Sequence, residues 1–143
     1  MSKNQFSTNF TAFWLVLLGT CISVCCFFLP WLKVKLLVGS MNESGFELSS
    51  KSSVLWVVIA LAVIIELGSL FTLIFKRKTM KRIAIIASVL GIIFIVLIYF
   101  SITSEMQSGV KKVIGYEFHP AFWAEIAGFG IALLGTLFLR TRE

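Results

Sequence analysis

Aspartate is missing from this sequence altogether, and histidine occurs once. Those absences remove the Asp pairs, His clusters and Ser-His-Asp sets on which most hydrolytic and metal chemistry rests. There is no Gly-rich phosphate loop and no HExxH helix. Charge is also scarce. Only 14% of the 143 residues are charged, against about a quarter in a soluble domain. That is too little to clothe a surface in water. The 58% of hydrophobic residues and a mean hydropathy of +0.96 therefore point to lipid as the solvent. Cysteine is absent from every segment between the apolar runs, so no disulfide framework is expected.

What the sequence does have is four long apolar runs, at residues 12–32, 53–75, 83–103 and 121–139, each with at most one charge. A bilayer is crossed by about 20 residues of helix. The runs lack the polar stripe of a soluble bundle helix and the short alternating segments of a barrel. The expected fold is a single all-α membrane domain, a bundle of four transmembrane helices. The first run is expected to be retained: its n-region is nearly uncharged, and the run continues well past the weak lipoprotein-like site at Cys21.

Charge placement sets the orientation. Residues 76–82 carry five positives, and Lys3, Arg140 and Arg142 fall on the same side, giving 8 positives and 1 acid. The opposite side, residues 33–52 and 104–120, carries 5 positives and 4 acids. The positive-inside rule places both termini in the cytoplasm, and the plasma membrane is the expected location. Trp31, Trp56 and Trp123 then belong to the outer interface and Trp14 to the inner one. The net charge of +6 lies in short clusters between apolar runs, so nucleic acid is not an expected partner.

The first outer loop reads as a β-hairpin, with a β-prone stretch at residues 34–38, turn residues from Gly39 to Gly45 and alternation again at 46–49. Gly45-Phe46-Glu47-Leu48 and Gly115-Tyr116-Glu117-Phe118 share one pattern, 70 residues apart. The first and third runs start 71 residues apart, and Trp56 and Trp123 stand 67 apart. This suggests a two-fold internal repeat of helix, outer strand and helix, with the two outer segments pairing into a small sheet. Gly45, Phe46, Glu47, Gly115, Tyr116 and Glu117 are the candidate outer recognition residues. Asn42-Glu43-Ser44 is formally a glycosylation sequon, relevant only in a eukaryotic secretory membrane.

Leu29-Pro30-Trp31 closes the first run, Ser44-Gly45-Phe46-Glu47-Leu48 follows, and a Gly-aromatic segment leads into a Gly-rich last run. In this the chain resembles small uncharacterised bacterial four-span membrane proteins. Its layout also resembles the claudin-like tetraspan proteins, which implies an outer sheet between the first two spans. The chain departs from claudins in lacking loop cysteines and the Trp…Leu-Trp signature, so no tight-junction role is implied.

Glu66 is the charge hardest to explain. It lies nine residues before Phe75, roughly 13 Å inside the boundary at 1.5 Å per residue. A charge there costs about 3 kcal/mol or more and marks a functional site. Thr20, Ser23 and Ser88 are expected at its depth, with no Lys, Arg or His. Glu66 is then a proton- or cation-coupling group, interhelical glue, or the contact for a partner's basic residue. Glu125 is expected in the wet outer interface. With His119 it offers too few ligands for a metal site. Cys21, Cys25 and Cys26 read as packing residues. Ala124, Gly128, Ala132 and Thr136 form a small-residue stripe, suited to packing within the bundle or to a second copy or partner. The leading expectation is a non-enzymatic accessory protein that needs no cofactor. It would dock another membrane protein, or a copy of itself, through helix faces and outer loops. The alternative is a small oligomeric transporter or channel using Glu66.

Overall fold

Proline decides where the first helix stops. In the computed structural model, which describes residues 3–36, 39–51, 53–75, 78–107 and 113–139, helix α1 spans Lys3–Phe28. Pro30 has no amide proton and disfavours helical geometry at Leu29. The chain therefore turns into strand β1 (Pro30–Leu36). Leu29 N closes the helix onto the Cys26 carbonyl at 3.1 Å, and the Trp31 indole donates to the same carbonyl at 2.8 Å. Carbonyls at a helix end have no partner within the helix, and here the first residues of the strand supply one. Trp31 is consequently fully buried. It packs into the protein at the end of α1 rather than lying on its surface. Trp14, Trp56 and Trp123 are exposed.

Beyond β1 come β2 (Gly39–Ser44), helix α2 (Gly45–Lys51) and a 3₁₀ turn, Ser53–Leu55. Helices α3 (Trp56–Phe75) and α4 (Lys78–Gln107), strand β3 (Val113–Phe118) and helix α5 (Pro120–Phe138) complete the order. Most described residues are helical. Among the described residues four helical segments are long and apolar enough to cross a membrane: Asn9–Phe28, Ser53–Phe75, Lys78–Glu105 and Pro120–Phe138. The first ends four residues earlier than residues 12–32 suggested, and the third begins five residues earlier than 83–103. Lys76, Arg77, Lys111, Lys112, Arg140 and Arg142, used in the charge count, lie outside the described residues.

The strands at one end of the long helices form a three-stranded antiparallel sheet of order β2-β1-β3. Lys33 pairs with Asn42 on one side and Glu117 on the other. Leu32 and Val34 face inward and are buried, whereas Lys35 is exposed, the period-two pattern of a half-covered strand. The hairpin differs from expectation. Gly39–Ser44, read as turn, is strand β2. The expected second strand at 46–49 is helix α2. A capping box explains this. Ser44 Oγ accepts from the Glu47 amide at 3.1 Å, and the Glu47 carboxylate accepts from the Ser44 amide at 2.7 Å. That reciprocal pair starts a helix. Gly45-Phe46-Glu47-Leu48 is thus helical, whereas Gly115-Tyr116-Glu117-Phe118 is strand. The shared pattern does not mark equivalent structure, and the internal repeat loses its motif. The two segments expected on the outer side do pair, through β1 and β3.

Below the sheet the long helices form a closed ring. α1 packs against α5 and α3, α3 against α4, and α4 against α5. Phe27, Trp31, Ile65, Ile95, Phe122 and Phe129 fill the centre. Leu18, Val63, Leu97 and Leu134 stand exposed on the outside. The helices are apolar on both faces, as their sequence implies.

Candidate functional site

The helix pair α1–α3 carries the site. Thr20 of α1 donates to Glu66 Oε2 of α3 at 2.9 Å. Its hydroxyl also lies 3.0 Å from the Val16 carbonyl and 3.1 Å from that of Leu17. One hydroxyl carries one proton, so the carboxylate competes with the helix backbone for it. Around this pair, Leu17, Cys21, Val24 and Cys25 of α1 and Ala62 and Val63 of α3 line a groove of ≈ 280 Å³. The groove opens on the outer wall of the bundle: Cys21 and Cys25 are exposed, as is Val63. Glu66 itself is half-buried.

Ser23 and Ser88, expected beside Glu66, are buried and bonded elsewhere. Ser23 Oγ donates to the Glu125 backbone carbonyl at 3.4 Å, and Ser88 Oγ to the Ala84 carbonyl at 2.8 Å. The reason is rotation about the helix. Residues three apart on one helix differ by roughly 60° in direction, so Thr20 faces α3 while Ser23 faces α5. Equal depth does not mean equal facing.

Glu125 corrects another expectation. It is not at a wet interface but fully buried, with neither carboxyl oxygen hydrogen-bonded among the described residues. An ionised carboxyl in that position would meet the full penalty of burial. A signal for it exists in the sequence. Phe122, Glu125, Gly128, Phe129, Ala132, Gly135 and Thr136 are all buried, and each lies three or four residues from another of the set, which marks one helix face.

That same face answers the small-residue stripe. Gly128, Ala132 and Thr136 are buried, and Ala124 is half-buried. A Cβ on Gly128 would lie 2.6 Å from Ser23 Oγ and 2.8 Å from the Gly19 carbonyl. The stripe is occupied by α1 of the same chain, which fits packing within the bundle rather than a seat for a second copy.

The candidate outer residues have structural partners. Gly45 lets the Trp31 ring approach to 2.7 Å of where a Cβ would stand. Phe46 is exposed and meets Phe28 and Trp56, with ring centroids 5.5 and 5.9 Å away. Glu47 closes the capping box. In β3, Gly115 pairs with Lys35 and Tyr116 with Val34. Glu117 forms an exposed ion pair with Lys35, whose hydrogen bond and charge hold its carboxyl below the ordinary range. Among the described residues no group of three or more His, Cys, Asp or Glu side chains could hold a metal ion.

The chain matches no family model, no curated protein and no solved structure.

Proposed function

We propose that this chain is a non-enzymatic integral protein of the plasma membrane, with both termini in the cytoplasm, that docks other membrane proteins through its helix faces and outer loops. The placement of Glu66 carries this reading. An intramembrane carboxyl that served a path through the bundle would point to its axis. Glu66 instead opens into a groove on the outer wall, where only a neighbour in the membrane plane reaches it. The exposed, apolar outer faces of all four long helices support the membrane setting, and the excess of positive residues at 76–82 supports the orientation.

The same placement shapes the alternative. A transporter using Glu66 as its proton- or cation-coupling group would have to run its path between copies. Two measurements separate the readings. Under the docking reading, Glu66→Gln leaves the chain folded and membrane-integrated but abolishes co-purification with its partner in mild detergent. A homo-oligomer that carries protons into liposomes, and stops doing so with Glu66→Gln, overturns it.

A further inference from the structure

We infer that the α1–α3 groove seats one transmembrane helix of a different protein, and that this helix carries a Lys or Arg at mid-span opposite Glu66. The inference rests on the docking reading above and names its partner.

The groove has the shape of a helix seat. Its α1 wall runs from Leu17 to Cys25, about 12 Å along the axis at 1.5 Å per residue. Small side chains, Cys21, Cys25 and Ala62, leave low relief, and low relief lets two helices approach closely. An acyl chain would suit the apolar walls, but it offers nothing to the carboxyl. Among the described residues Glu66 has a single hydrogen bond, from Thr20, whose proton the α1 backbone also attracts. A carboxylate in a membrane span pairs with an opposite charge or a hydrogen-bond donor, and a guanidinium or ammonium supplies both.

A second copy of the chain does not fit. None of the four apolar runs contains Lys, Arg or His at mid-span. A two-fold dimer on this face brings the same patch against itself, setting one Glu66 carboxyl against another. The basic group has to come from another protein.

The test uses the full chain in phosphatidylcholine vesicles and Leu/Ala peptides of about 23 residues, long enough to span. The peptides carry Lys, Leu or Glu at the centre and a cysteine one turn away, for oxidative crosslinking to Cys21 and Cys25. The Lys peptide is expected to crosslink on the order of tenfold faster than the Leu peptide, as interhelical polar contacts allow. Glu66→Gln erases that preference, and Glu66→Lys transfers it to the Glu peptide. Equal rates for the Lys and Leu peptides overturn the inference, as does dominant Cys21–Cys21 crosslinking between copies. Alkaline carbonate extraction runs in parallel. A chain that resists extraction yet shows no Lys preference refutes the inference alone, whereas a chain that is extracted refutes the membrane reading with it.

Discussion

Gly19 is the position where one methyl group should do most damage. A Cβ there would lie 2.5 Å from the Ala132 amide nitrogen and 2.6 Å from the Gly128 carbonyl oxygen. Ordinary contact begins at 3.4 Å, so the methyl falls about 0.9 Å short. Both obstacles are backbone of α5, which has no rotamer to turn aside. The helices must move apart instead, and Gly135 and Gly128 would lose their close approach to Val16 and Ser23. Overpacking of this kind costs about 1–3 kcal/mol. Gly19→Ala should therefore lower unfolding stability in mild detergent by that amount, read as a shift in the denaturant midpoint or in Tm. Gly130 is the control: a Cβ there meets nothing within 4 Å. Gly130→Ala should be neutral, or stabilising by up to about 1 kcal/mol from helix propensity. Equal stability of Gly19→Ala and Gly130→Ala would refute the reasoning, because it would mean that α1 and α5 are not in backbone contact at Gly19.

Three further predictions follow from single contacts. Glu125→Leu exchanges an unbonded buried carboxyl for an apolar side chain of similar size. It should be neutral to stabilising by about 1–3 kcal/mol, and a clear loss of stability would show that the carboxyl has a partner. Lys81 Nζ donates to the Leu137 carbonyl at 2.8 Å and to that of Leu139, covering the C-terminal end of α5. Lys81→Met should cost about 0.5–1 kcal/mol, whereas Lys81→Arg should retain most of it, as thermal unfolding of the three proteins would reveal. The Glu117 carboxyl is held low by Lys35, so its contribution is present above the unfolded carboxylate range and is lost as pH falls through the lower folded value. Amide protection across the β1–β3 pair, taken as the exchange rate relative to the intrinsic rate at each pH, should fall on acidification, and Lys35→Gln should remove that pH step.

Composition and length were enough to fix the parts of the fold that they govern. Four apolar runs with almost no charge can only be long helices apolar on both faces, and they appear within a few residues of the expected bounds. A β-prone outer segment was legible too, because Lys33, Val34 and Lys35 alternate. Local chemistry that acts over three or four residues is present but competes with longer patterns. Ser44 and Glu47 stand in capping-box spacing, yet the alternation of Phe46 and Leu48 suggested a strand. Pro30 stood inside the expected first span and in fact ended it.

Tertiary structure alone decided which residues face one another. Depth along a helix follows from counting residues, but azimuth depends on how four cylinders are arranged, and successive residues differ by roughly 100°. Thr20 and Ser23 share a depth and meet different helices. Glu66 and Glu125 are both carboxyls in apolar runs. One opens into a groove on the outer wall, and the other is sealed with no partner for either oxygen among the described residues. The ring order of the helices makes that difference: α1 presses its glycine face onto α5 and leaves the shallow side of its contact with α3 open.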